Sequence, residues 1–130
     1  MINIVILGPG KIAPRFVKGA RFIEDANIVG VVGRTFSKAK SFAKEHKIPF
    51  AYETIESMLA DETVDLVYIA TPVVVHKQQI EACIRAKKHV LCEKPLDISV
   101  DSCNRMIEAC ERCGVKLGVS FQHRTSQDNR

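Results

Sequence analysis

Residues able to do chemistry fall at four points of this chain, each just after an apolar run. Ile2–Leu7 leads into Gly8-Pro9-Gly10-Lys11-Ile12-Ala13, Ile28–Val32 into Gly33-Arg34-Thr35, Leu66–Ala70 into Thr71-Pro72, and His89–Cys92 into Glu93-Lys94-Pro95. In Gly8-x-Gly10-x-x-Ala13 the first glycine permits a tight turn and the second lets a pyrophosphate approach the backbone. The small third residue lets a helix pack on a strand. The helix that follows would offer free N–H groups and the positive end of its dipole to phosphates, with Pro9, Lys11 and Ile12 in the same loop. By itself the fingerprint is weak, because glycines also close ordinary turns.

Dinucleotide-binding domains that take NAD place an acid about 20 residues further on, for the ribose hydroxyls. Here Gly33 stands at that point, followed by Arg34 and Thr35, with Lys38 one turn later. No carboxylate is offered, and a guanidinium fork stands where a 2′-phosphate would sit. The plain alternative for Arg34 is a solvated loop charge. Ala70-Thr71-Pro72 puts a hydroxyl and an open carbonyl before a proline, a pair that can border a cofactor. His76 opens the next helix and reads equally as a capping or surface residue. Glu93 and Lys94 are opposite charges side by side after a buried strand, and Pro95 restricts Lys94 to an extended backbone. That would aim Lys94 into a crevice, where desolvation and neighbouring charge tune an amine for proton transfer. A surface salt bridge is the alternative.

These positions need a scaffold, and the chain supplies one by alternation. Strand candidates are Ile2–Leu7, Ile28–Val32, Phe50–Tyr52, Leu66–Ala70, His89–Cys92 and Val115–Phe121. Most are apolar on both faces, as in the centre of a parallel sheet covered by helices. Helix candidates lie between them at 11–22, 36–46, 54–60, 74–87 and 99–112. The last has Ser99 as N-cap, Asp101 in its first turn, Ile98 placed to staple onto Cys103, and Gly114 as its close. Pro14 is tolerated in a first turn, where its missing N–H removes no helical bond. Alternation with parallel crossovers predicts a doubly wound α/β sheet of about six strands, the Rossmann layout, with its ligand crevice at the carboxyl ends of the strands.

Composition excludes other classes. The 130 residues are 46% hydrophobic and 26% charged, with a net charge of +4, no basic run and few aromatics, so nucleic-acid binding has little support. No apolar run approaches the roughly 20 residues of a membrane span, and the strand at the N-terminus leaves no room for a signal peptide. The expectation is a soluble, cytoplasmic protein. Five cysteines, an odd count, lie in the second half. Cys110-Glu111-Arg112-Cys113 is a CxxC, but a zinc site wants four ligands and no second pair exists, so no metal is expected. Cys103, Met106, Ile107 and Cys110 share helical spacing, which favours small core residues. No GxxxxGK[ST] occurs, so a triphosphate P-loop is not expected.

Taken together, GPGKIA at 8–13, ATPxxxH at 70–76, HVLCEKP at 89–95 and GVSFQHR at 118–124 resemble the Gfo/Idh/MocA family of oxidoreductases, in order and over the whole chain. The resemblance implies an NAD(P)-dependent dehydrogenase or reductase acting on a sugar, polyol or related carbonyl compound. It also implies that Glu93 and Lys94 contact the nicotinamide end of the cofactor, with Lys94 the catalytic residue touching the reacting hydroxyl, and that Gln122 joins the cofactor site. Two departures stand out. Val73 replaces an asparagine found after the TP in many members, and Gly33 replaces the acid of NAD-using members, so NADP(H) is favoured over NAD(H). Members continue into a second α/β domain carrying a second catalytic side chain, most substrate contacts and the oligomer interface. Residues 1–124 are thus expected to be the cofactor domain and 125–130 the start of a link to that domain, through which a homo-oligomer would form. Two other readings stay open. One is a non-catalytic dinucleotide sensor, which would have no need of Lys94. The other is a methyltransferase using S-adenosylmethionine, which lacks the EKP turn and usually keeps the acid.

Overall fold

The computed structural model describes residues 1–94 and 99–120. Six strands, β1 (Ile2–Leu7), β2 (Ala26–Val32), β3 (Phe50–Tyr52), β4 (Leu66–Ile69), β5 (His89–Glu93) and β6 (Leu117–Ser120), form one sheet in the order β3-β2-β1-β4-β5-β6. Every neighbouring pair is parallel. The order reverses at β1, which places a switch point between β1 and β4, where ligands of this architecture bind. Gln122, the 124/125 boundary, Pro95 and the Ile98 staple lie outside the described residues.

Alternation of side chains along each strand divides the core into two layers. Val5 and Leu7 of β1 join Val67 and Ile69 of β4 and Cys92 of β5 on one face. Ile4, Ile6 and Tyr68 point to the other. On the first face lie α4 (His76–Arg85) and α5 (Val100–Cys113), through Ile80, Cys83, Met106 and Cys110, with Met58 from the short α3 (Ile55–Leu59). On the second lie α1 (Ala13–Ala20) and α2 (Phe36–Glu45), through Val17, Ala39 and Phe42. The sheet is covered on both sides, so its central strands read as continuous apolar runs.

Local chemistry sets most element ends. The Ser99 hydroxyl accepts from Ser102 N–H at 3.0 Å, Asp101 sits in the first turn, and Gly114 closes α5 in the left-handed region. Pro14 lies within the first turn of α1. The helix expected over 74–87 is divided: Val73–Val75 form a 3₁₀ turn and the α-helix begins at His76. Three successive β-branched residues lose rotamer freedom against a preceding α-turn. The strand β2 begins two residues earlier than expected, and β6 is shorter at its start. Cys110 is buried and Cys103 packs against the core as small apolar residues, whereas Ile107 of the same helix is 43% exposed. All five thiols are free. Burial pushes those of Cys83 and Cys92 up to about 12, far from reactive thiolates.

At the opposite end of the sheet from the switch point, Tyr52 donates its hydroxyl to Asp61 at 2.5 Å, and Thr63 donates through both N–H and hydroxyl. The buried Lys88 ammonium donates to the carbonyls of Asp61 and Val64 at 2.8 and 2.9 Å, tying the turn before β4 to the turn before β5. The Tyr52 and Thr63 bonds hold the Asp61 carboxyl down at about 2. A depressed carboxyl contributes stability that is complete above its unfolded pKa of about 3.9 and is lost as pH falls through the folded value. Asp61→Asn should therefore lower the urea midpoint at pH 7. The gap from wild type should close between about pH 4 and pH 2, as followed by circular dichroism.

Candidate functional site

The carboxyl ends of β1, β2 and β4 open into a cleft of about 500 Å³. Its lining brings together Gly8, Pro9 and Gly10 from the first loop, Gly33, Arg34 and Lys38 from the second, and Ala70, Thr71 and Pro72 from the fourth. Nine of the residues singled out from sequence thus share one concavity although 64 positions separate the first from the last. Of the other candidates among the described residues, Lys11 and Ile12 carry the chain from the glycine turn into α1, Thr35 caps α2, His76 is buried beneath the fourth loop, Glu93 ends β5 and Lys94 follows it.

The two glycines are required for different reasons. Gly8 has φ +97°, and a Cβ there would lie 2.7 Å from Thr71 Cγ2 and 3.1 Å from the Ala70 carbonyl carbon. Its N–H donates to the Val32 carbonyl at 2.9 Å, and the Ala70 N–H donates to the Leu7 carbonyl, so three loops meet at this one residue. Only glycine fits both the dihedral and the approach. At Gly10 a Cβ would meet nothing closer than the Ala70 carbonyl oxygen at 4.0 Å. The fold leaves that space open, above a loop in which the Lys11 and Ile12 N–H groups have no acceptor among the described residues. The first turn of α1 has neither a side-chain cap nor an acidic residue. Uncapped donors at the positive end of a helix dipole suit a phosphate.

The second loop is short and tight. Thr35 Oγ1 accepts from Lys38 N–H at 3.3 Å and faces Ser37 Oγ at the same distance, so its role as helix cap joins any role toward a ligand. Arg34 and Lys38 are both exposed beside this cap, and no carboxylate lines the cleft among the described residues. The fourth loop is held from below. Nε2 of His76, which is 1% exposed, lies 2.6 Å from the Thr71 carbonyl oxygen and donates to it, while the Thr71 hydroxyl donates to Gln79 Oε1 at 2.5 Å. His76 is therefore neither a surface residue nor a direct wall of the cleft; it fixes the loop that is. Gln79, a lining residue not foreseen from the sequence, follows His76 by three positions on α4 and so shares its helix face. Val74, 75% exposed, and Ile55 add an apolar wall.

Glu93 and Lys94 stand one strand beyond the fourth loop. The surface salt bridge that is the alternative reading of this pair is not formed among the described residues. Glu93 instead accepts the Tyr68 hydroxyl at 2.5 Å, from the neighbouring strand. The Tyr68 ring stacks on Phe16 of α1 with centroids 3.8 Å apart and planes within 6°. Burial first, and the Glu93 carboxylate second, hold the Tyr68 phenol protonated far above its ordinary range, so it remains a donor. Lys94 is exposed, its ammonium free to meet a ligand from solvent.

A parallel sheet of order 3-2-1-4-5-6, a glycine turn with unfilled space at its second glycine and free N–H groups above it make this a dinucleotide-type cleft. Residues 2–121 match the family described as "Oxidoreductase family, NAD-binding Rossmann fold", GFO_IDH_MocA. The chain belongs to this family. It is 37% identical over 117 residues to scyllo-inositol 2-dehydrogenase (NADP(+)) of Bacillus subtilis, an alignment covering 90% of this chain and 36% of that one. It is 32% identical over 125 residues to 1,5-anhydro-D-fructose reductase of Ensifer adhaerens, covering 96% and 38%. Among solved structures, the 3-ketoreductase KijD10 of Actinomadura kijaniata, in complex with TDP-benzene and NADP, superposes with a TM-score of 0.91 at 26% identity. That match covers 99% of this chain and 41% of KijD10. The chain thus spans a little over a third of the length of the curated relatives it matches. It is an NAD(P)-binding Rossmann domain of the Gfo/Idh/MocA type. No helix of the described residues is long and apolar enough to cross a membrane.

The open space at Gly10 has a direct test. Gly10→Ala should leave the melting temperature unchanged or slightly raised, since no protein atom opposes the new methyl group. It should weaken dinucleotide binding about tenfold or more, read by quenching or enhancement of reduced-nicotinamide fluorescence.

Proposed function

We propose that this chain is the cofactor domain of an NADP(H)-dependent oxidoreductase that interconverts a hydroxyl and a carbonyl group on a sugar, polyol or related compound. The observation that carries the cofactor choice is the second loop: Gly33 offers no carboxylate, and Arg34 and Lys38 stand exposed at the mouth of the same cleft as the glycine turn. Relatives described as using NADP(+), or solved with NADP bound, support the same choice. The relatives described as a scyllo-inositol dehydrogenase and an anhydrofructose reductase support the substrate class.

In this reading the Lys11 and Ile12 N–H groups and the α1 N-terminus hold the pyrophosphate, Arg34 and Lys38 grip the 2′-phosphate, and Val74 and Ile55 flank the adenine. Thr71 and Pro72, braced by His76 and Gln79, border the path toward the nicotinamide. When bound, the nicotinamide ring supplies the hydride chemistry. Glu93, oriented by Tyr68, positions that end of the cofactor, and Lys94 moves the proton at the substrate hydroxyl oxygen. By the family resemblance, Gln122 joins the cofactor site. The substrate would be held against this face by a further domain, as would a second copy of the chain in a homo-oligomer. Positioning accounts for about 7–11 kcal/mol of a barrier reduction, so residues 1–130 alone should bind NADP(H) without turning over any polyol or sugar.

A charge-assisted hydrogen bond contributes about 1.5–3 kcal/mol, so binding of NADP should exceed that of NAD by roughly tenfold or more. Arg34→Ala should remove most of that difference and reduce the salt dependence of binding. Equal affinities in the wild type, measured by titration calorimetry, would overturn the cofactor assignment. In a full-length protein carrying this domain, Lys94→Met should lower turnover by about 10²–10⁴ with dinucleotide affinity nearly unchanged. Retention of most activity would remove Lys94 from the chemistry.

A further inference from the structure

We infer that Pro9 and Gly33 form a single steric unit that closes the second-strand corner to an acidic side chain, so that the dinucleotide is selected by space as well as by the Arg34 charge. The inference rests on the NADP(H) reading above and deepens it. A Cβ placed on Gly33 would lie 3.2 Å from Ala39 N, 3.2 Å from the Thr35 carbonyl oxygen and 3.3 Å from Pro9 Cγ. Each approach is closer than ordinary van der Waals contact, and they close in together. Ala39 N and the Thr35 carbonyl are the two ends of the first hydrogen bond of α2, 3.2 Å long. Moving either opens the turn on which Thr35 and Lys38 are arranged.

Pro9 is the third wall, and its neighbours restrain it on both sides. The Gly8 N–H donates to the Val32 carbonyl, one residue before Gly33, and the Gly10 N–H donates back to the Gly8 carbonyl, both at 2.9 Å. The ring itself fixes its φ. A carboxylate at position 33 would therefore push either on the α2 turn, displacing Lys38, or on the glycine loop, displacing the donors for the pyrophosphate. Exchanging Gly33 for an acid is then not a plain exchange of charge preference. It strains the shared phosphate grip, and of the three walls only Pro9 meets the new Cβ with a side-chain atom, so loss of the proline Cγ relieves one approach and leaves the two to the α2 backbone.

The test is a double-mutant cycle on the 130-residue chain, with NADP and NAD as probes and thermal melting as a second readout. Gly33→Asp alone should weaken NADP binding about tenfold or more without a matching gain for NAD. Adding Pro9→Ala to Gly33→Asp should improve NAD binding about fivefold or more, within the coupling range of side chains in contact. Pro9→Ala by itself should not improve it. Gly33→Ala carries only the tested methyl group and covers the case in which the aspartate variant fails to fold. It should lower the melting temperature, and Pro9→Ala should recover part of that loss, though not in the wild-type background. Two results would overturn the inference: a tenfold gain for NAD from Gly33→Asp alone, or Pro9→Ala effects equal in both backgrounds. Equal wild-type affinities for NAD and NADP would remove the 2′-phosphate reading instead, and the melting cycle would still decide the coupling.

Discussion

The site depends on one close approach, that of Gly8 to the Ala70–Thr71 peptide. At this point the loops after the first, second and fourth strands converge. The Gly8 N–H is bonded to the end of β2, its missing side chain makes room for Thr71, and Ala70 is bonded to the end of β1. Any Cβ here would be driven against Thr71 Cγ2 and would also sit at a dihedral that L side chains rarely adopt. Separating these loops would break up the cleft, because Gly8 and Thr71 are both among its walls. The glycine turn and the Thr71 loop are thus held in register by packing.

Around that point, polar side chains work mainly on the backbone and on one another. His76 holds a carbonyl, Gln79 a hydroxyl, Thr35 the first turn of a helix, and Tyr68 the carboxylate of Glu93. Each removes freedom from a group that borders or faces the cleft, so less ordering remains to be done when a ligand arrives. Tyr68 has a second function. Its ring is stacked on Phe16 of α1, so the helix that follows the glycine turn and the end of β5 share one aromatic contact. Arg34, Lys38 and Lys94 are left exposed, and all three are cationic. That distribution favours an anionic ligand entering from solvent.

The two halves of the sheet differ in what their ends do. At the carboxyl ends, loops are pressed together to leave an unfilled space. At the amino ends, Asp61, Tyr52, Thr63 and Lys88 satisfy one another and the local carbonyls, leaving no comparable set of free donors among the described residues. This asymmetry is general to open parallel sheets, where ligands gather outside the carboxyl ends at the switch point. The domain thus keeps its stabilising polar network away from its binding cleft.

Much of this was legible in the linear order of residues. The short apolar runs alternating with amphipathic stretches, the Ser99 cap, the proline in the first turn of α1 and the glycine turn depend on neighbours within a few positions. The doubly wound parallel sheet follows from their alternation, with crossovers of one favoured hand. The absence of an acid at Gly33 was equally plain. Other features came only with the fold. His76 read as a cap or a surface group and is buried. The bond of Glu93 to Tyr68, 25 residues away, gave no signal in the sequence. Gln79 and Val74 gave no signal as cleft residues, and the contact of Pro9 with Gly33 could not be foreseen. These are pairings between loops remote in sequence, and their distances are set by how strands stack side by side, not by residue type. Sequence determined which chemical groups stand at the carboxyl edge of the sheet; tertiary packing decided which of them are buried braces and which face the ligand.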